Sequence, residues 1–98
     1  MITFLQREMK NILQEEGIDK KNICVYLFGS ARYKIEYNDI DLLVTYKCLE
    51  YSSVIRLRQI MYDRLSYLFQ KSIDIILLTD DEARNTKFVE QESCELVF

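Results

Sequence analysis

The sequence predicts a mixed α/β (α+β) fold, a small mixed sheet with helices packed on it. Three observations carry this expectation. Apolar runs of strand length occur three times, segments with helical periodicity flank or separate them, and the chain holds no Pro and only two glycines, Gly17 and Gly29. At 98 residues the chain has the length of one small domain, and 1–98 reads as a single unit.

Residues 2–16 are expected to form the first helix. Ile2, Leu5, Met9, Ile12 and Leu13 recur at helical spacing against a charged opposite face. Gly17 then suits the left-handed position that ends a helix. Residues 23–28, Ile-Cys-Val-Tyr-Leu-Phe, are a continuous apolar run, which predicts a strand buried on both faces. Residues 40–46 predict a second strand. The link between these two strands is compatible with a compact crossover or with an antiparallel pairing.

Residues 52–70 predict a second long helix, with Val54, Leu57, Met61, Leu65 and Leu68 on one stripe and Ser52 or Ser53 as N-cap. Residues 72–78 predict a third strand. Thr79 and Glu82 have the spacing of a capping box, so a last helix should start there and run to about Ser93. Residues 95–98 are apolar enough for a short edge strand.

Composition excludes several function classes. The absence of histidine removes Ser-His and Cys-His catalysis and His-containing zinc sites. A net charge of −3 argues against general nucleic-acid binding. No run of 18 apolar residues is present, so no membrane span is expected, and Glu8 makes the amphipathic N-terminus unlike a secretory signal. Cys24, Cys48 and Cys94 are odd in number and form no C-x-x-C, which predicts reduced thiols in a cytoplasmic protein.

Three short motifs bear on chemistry. Phe28-Gly29-Ser30 follows a strand directly. Glycine there lets the backbone approach a ligand without a Cβ in the way, and a helix starting at Ser30 would present N–H groups and a hydroxyl to an anion. In Asn38-Asp39-Ile40-Asp41-Leu42, residues two apart on a strand share a face, so Asp39 and Asp41 point the same way. Adjacent carboxylates repel; a hard divalent cation such as Mg²⁺ removes that cost. Asp74 interrupts an otherwise apolar strand, where a lone charge is costly unless paired, hydrogen-bonded or on a metal. Each motif alone is weak: at ~6% Asp per position, a D-x-D turns up by chance in about one chain in three of this length.

In combination they are specific. Leu27-Phe28-Gly29-Ser30-Ala31-Arg32, then Asn38-Asp39-Ile40-Asp41-Leu42-Leu43-Val44, then the strand residue Asp74, resemble the stand-alone minimal members of the nucleotidyltransferase superfamily with the polymerase-beta-like fold. The resemblance spans about Ile23 to Leu78. The loop from Gly29 to Asp39 is shorter than in many members, and Tyr33 stands where Gly is common; all three acids are kept.

The resemblance implies that Gly29, Ser30 and Arg32 bind the nucleotide, with Gly29 and Ser30 on its β- and γ-phosphates. It implies that Asp39, Asp41 and Asp74 are the catalytic and metal-binding residues, holding two Mg²⁺ ions, with ATP as substrate. Asp74 would help to deprotonate the attacking hydroxyl. It further implies a protein partner, a HEPN-type toxin, to which AMP is transferred and for which this chain is the antitoxin. A second copy of the chain is the other partner considered. The rival reading is a non-catalytic module that neutralises its partner by stoichiometric contact; transfer to a small molecule ranks third, since no acceptor domain is evident. Tyr33 and Tyr37 are candidates for ligand stacking. Arg56, Arg58 and Arg64 are expected to form a solvated helix face, and Asp80-Asp81-Glu82 to favour the positive end of the last helix.

Overall fold

A computed structural model describes residues 1–32 and 38–98, with the side chain of Arg32 outside the described set. In chain order the elements are α1 (Ile2–Glu16), β1 (Ile23–Phe28), β2 (Asp39–Tyr46), α2 (Tyr51–Phe69), β3 (Ser72–Thr79), α3 (Asp80–Thr86), α4 (Phe88–Gln91) and β4 (Glu95–Leu96), with single 3₁₀ turns at Lys20–Asn22 and Ser30–Arg32. Four strands make one mixed sheet in the order β3-β2-β1-β4. The predicted fold class is the observed one.

The sheet positions everything else. β1 and β2 pair antiparallel, which resolves the alternative left open by their short link. β2 and β3 pair parallel, and such a pair needs a long crossover connection, here supplied by α2. Because β1 runs against β2 and β3, its C-terminal end lies beside their N-terminal ends. Gly29 therefore leaves β1 at the sheet edge where Asp39, Asp41 and Asp74 begin their strands.

The main core lies between one sheet face and the helices α1 and α2. Leu5, Met9, Ile12 and Leu13 of α1 and Val54, Leu57, Met61 and Leu65 of α2 pack with Ile23, Val25 and Leu27 of β1 and Ile40, Leu42 and Val44 of β2. Burying a side chain of this size contributes about 1.5–3 kcal/mol against leaving it exposed. Two ion pairs tie the helices together at the surface, Arg56 to Glu16 and Arg64 to Glu15, both at 2.7 Å. Phe4 and Phe69 meet edge-to-face at 5.3 Å.

Several local expectations need correction. β1 is buried on one face only: Ile23, Val25 and Leu27 are buried, whereas Cys24, Tyr26 and Phe28 are half-buried. The second face has only the short helices α3 and α4 above it, with Phe88 of α4 edge-to-face on Phe28 at 5.2 Å. Glu50, not Ser52 or Ser53, is the N-cap of α2, and no side chain caps it. Leu68 is 41% exposed; the end of the apolar stripe is taken by Phe69.

The capping box forms as expected. The Glu82 N–H donates to the Thr79 hydroxyl at 3.0 Å, and the Thr79 N–H to the Glu82 carboxylate at 2.9 Å. The helix does not continue to Ser93, however. Lys87 takes a left-handed conformation (φ 54°) and divides α3 from α4, one residue after Thr86 turns its hydroxyl back onto the Glu82 carbonyl at 2.8 Å. The chain then returns to the sheet as the expected short edge strand. Its antiparallel pairing on β1 is extended past β4 when the Val97 N–H donates to the Val25 carbonyl at 2.8 Å.

No described helix is long and apolar enough to cross a membrane. All three cysteines are free thiols.

Candidate active site

The strand register brings the predicted acids together. Alternation puts Asp39 and Asp41 of β2 and Asp74 of β3 on the face opposite the main core. Asp41 and Asp74 are direct partners across the parallel ladder, and Phe28 is the partner of Asp41 on the other side. Asp39 is exposed and lies one pleat nearer the strand end, opposite Ser72. The entry to this corner is fastened by Ser72, whose N–H donates to the Asn38 carbonyl at 3.3 Å.

Asp41 is the least hydrated of the three, half-buried where the others are exposed. Burial pushes its carboxyl above the ordinary value of 3.8; the charges of Asp74 and Asp39 and a side-chain hydrogen bond with Asp74 push the same way. Neighbouring carboxylates disfavour each other's ionised form because like charges repel. Directly below, Leu42 and Leu43 are fully buried, so the strand under the acids is rigidly held.

Gly29 completes the corner. It adopts φ 75°, a left-handed conformation that glycine takes without strain. A Cβ at this position would overlap the Asp41 carboxylate oxygen Oδ2. Ser30 follows half-buried in a single 3₁₀ turn, Ser30–Arg32, anchored by the buried Ala31. This is a correction: a helix of useful length does not start at Ser30, so the local donors are those of one turn and the Ser hydroxyl. The Arg32 side chain, and Tyr33 and Tyr37, lie outside the described residues.

The donor set is chemically suited to Mg²⁺: all-oxygen, carboxylate, anionic, and frustrated by mutual repulsion. The geometry is a pair with a satellite, Asp41 and Asp74 joined and Asp39 apart. Among the described residues no three His, Cys, Asp or Glu side chains are gathered closely enough to form a ready ion cage.

Two concavities flank this part of the sheet, and one of them reaches the corner at Asp74. One of about 340 Å³ lies farther along the same sheet face, between β1 and β2 and the helices α3 and α4, lined among others by Tyr26, Thr45 and Arg84. Burial raises the Tyr26 phenol above its ordinary range. The other, about 290 Å³, runs between β3 and α2 and is lined by Arg58, Gln59, Tyr62, Ile73, Asp74 and Ile75. Arg58 thus lines the same groove as Asp74, from the α2 side of β3, where a solvated helix face had been expected for all three arginines. No sequence signal separates it from Arg56 and Arg64. What distinguishes it is that their partners, Glu16 and Glu15, lie on another helix.

Comparison with known proteins agrees with this arrangement. The family model of the nucleotidyltransferase domain matches residues 6–97. The chain belongs to the nucleotidyltransferase domain family. The match takes in every element of this nucleotidyltransferase domain that lines the acidic corner. No curated protein matches the chain in sequence.

Three solved structures with a similar fold come from toxin–antitoxin systems. One is an MntA–HpeT mutant with two aspartates replaced by glutamate, at TM-score 0.58 and 16% identity over 95% of this chain and 71% of that one. A second MntA–HpeT mutant, with a tyrosine replaced by alanine, gives a TM-score of 0.55 and 18% identity over 94% and 69%. A toxin–antitoxin structure with AMP-PNP gives a TM-score of 0.57 and 18% identity over 95% and 72%. At such identities the likeness concerns the fold.

Proposed function

We propose that this nucleotidyltransferase domain transfers AMP from ATP to a hydroxyl of a partner protein and so acts as an antitoxin, the partner being a HEPN-type toxin in the cytoplasm. The observation that carries the reading is the shared face of Asp39, Asp41 and Asp74, with Gly29 packed against Asp41. A module that only binds has no physical need to hold carboxylates together at the cost of raising one above its ordinary value. Family membership and the fold shared with toxin–antitoxin proteins, one of them solved with AMP-PNP, support the class of reaction and of partner.

In this reading the backbone at Gly29 and the Ser30 hydroxyl bind the β- and γ-phosphates, helped by Arg32. Asp39, Asp41 and Asp74 would hold Mg²⁺, which would supply charge neutralisation for the transfer. Asp74 accepts the proton of the acceptor hydroxyl. The acceptor oxygen forms a bond to the α-phosphorus, the bond from that phosphorus to the bridging oxygen breaks, and pyrophosphate leaves.

The test is transfer of label from α-labelled ATP with Mg²⁺, read on a denaturing gel. Wild type and an Asp39→Asn/Asp41→Asn variant are incubated with the co-purified partner. A labelled band with wild type alone supports AMP transfer. No band with any of the four nucleotides, with partner binding intact, replaces this reading by stoichiometric neutralisation.

A further inference from the structure

β3 presents an outer edge at the acidic corner. That strand ends the sheet order, and no described strand pairs with its outer side. The Ser72 N–H points inward, to the Asn38 carbonyl of the β2 side. Peptide groups alternate along a strand, so those of Asp74 and Ile76 also point inward, and those of Ile73, Ile75 and Leu77 point outward. Ile73 and Ile75 are the two β3 residues that flank Asp74 in the 290 Å³ groove. Among the described residues, the groove therefore offers backbone donors and acceptors without a strand partner on both sides of Asp74. An exposed edge of this kind is a template for an added strand.

The other wall of the groove carries a charge. Arg58 is half-buried, and among the described residues it has no carboxylate partner, in contrast to Arg56 and Arg64 on the same helix. It lies on the α2 side of the sheet, the side towards which the Ile73 and Ile75 side chains turn. Beyond Asp74 on the opposite face, Ile76 is 37% exposed and can cover an apolar residue.

We propose that the acceptor is an extended segment of the partner protein that adds as a strand to the outer edge of β3, with its hydroxyl residue opposite Asp74 and an acidic residue next to it in sequence against Arg58. This rests on the protein-acceptor reading above and specifies it. Side chains of directly opposed residues on paired strands lie about 4.5–5.5 Å apart at Cβ and share a face. The acceptor hydroxyl is thereby held at Asp74 on the catalytic face. The residues on either side of it turn to the opposite face, where Arg58 and Tyr62 wait. Register does the selecting: a slip of one residue would send the hydroxyl to the α2 side and the acid to the carboxylates.

The experiment uses synthetic strand-forming peptides carrying one central Ser, Thr or Tyr flanked by Glu, and matched peptides flanked by Lys. Two readouts are taken, label transfer from ATP and amide exchange at Ile73 and Ile75. Wild type should label Glu-flanked peptides about two- to fivefold better than Lys-flanked ones, the worth of one charge pair, and Arg58→Glu should reverse that order. Glu-flanked peptides with Ala in place of the hydroxyl residue should slow exchange at Ile73 and Ile75. Flank preference unchanged in Arg58→Glu, or unprotected amides while the partner is still labelled, overturns edge docking and leaves protein AMP transfer standing. An ATP KM that moves with Arg58→Glu puts this arginine on the nucleotide and also overturns it. Amides protected more strongly by Glu-flanked than by Lys-flanked peptides, but no label on peptide or partner, uphold the docking edge and sink the transfer reading instead.

Discussion

A Cβ placed on Gly29 would overlap the Oδ2 of Asp41 and stand 3.2 Å from its Cγ. The loop leaving β1 thus closes on the acid at the centre of the site with only a hydrogen atom to spare, and it does so in a left-handed conformation (φ 75°).

Gly29→Ala should therefore cost more than conformational strain. Gly17 is the internal control: its φ is 67°, and a Cβ there would meet nothing within 4 Å. Gly17→Ala should lose only the left-handed penalty of about 1–2 kcal/mol. Gly29→Ala should lose that and also displace Asp41, giving a larger fall in Tm and loss of AMP transfer. Thermal unfolding of the two variants side by side, with label transfer at a permissive temperature, checks the difference.

Asp41 makes stability depend on pH in a predictable direction. Its folded carboxyl titrates above its ordinary 3.8, chiefly through burial and then through Asp74 and Asp39. Between those two values the folded state keeps a proton that the unfolded chain has released, so stability falls as pH rises through the window. In EDTA, the Tm advantage of Asp41→Asn over wild type should grow from pH ~3.8 upward and level off once the folded carboxyl has ionised. Adding Mg²⁺ at neutral pH should narrow the gap by stabilising wild type alone, and the variant should lose at least ~100-fold in transfer rate, several kcal/mol of transition-state stabilisation. A wild type that gains stability relative to the variant over this window would contradict the crowded-acid account.

The arginines of α2 should separate by function. Arg56→Ala and Arg64→Ala each remove a surface ion pair to α1 and should lower Tm slightly, an effect that disappears in ~1 M salt. Arg58→Ala should leave Tm unchanged at both ionic strengths. Unfolding curves at low and high salt test all three.

Thr79→Ala should remove one half of the capping box that starts α3 and cost ~1 kcal/mol. Since α3 ends β3 rather than touching the acids, the urea midpoint should fall with the m-value unchanged, while the transfer rate at low temperature stays close to wild type. Glu82→Gln should keep the reciprocal hydrogen bond and most of the stability.

The sequence by itself determined the elements whose signals are local. The helical stripe of Leu5, Met9, Ile12 and Leu13, the Gly17 stop, the Thr79–Glu82 box and the apolar run 23–28 each declare their structure within one or two turns of chain. Alternation alone put Asp39 and Asp41 on one face, and the order of Gly29-Ser30, Asp-x-Asp and Asp74 was sufficient to point to the family. Tertiary structure decided what depends on partners distant in the chain. The choice of antiparallel over crossover pairing for β1 and β2 set Gly29 against Asp41. Register across the β2–β3 ladder, and no feature of either strand, made Asp41 and Asp74 neighbours. Lys87 divides the last helix in a left-handed conformation before the chain returns to β1, and one face of β1 is half-covered, with only short helices above it. Arg58 looks like Arg56 and Arg64 in the sequence; only packing gave those two a glutamate from α1 and put Arg58 in the groove that Asp74 also lines. Local propensity is summed over adjacent residues, whereas the pairing that builds a site is selected by burial across the whole sheet.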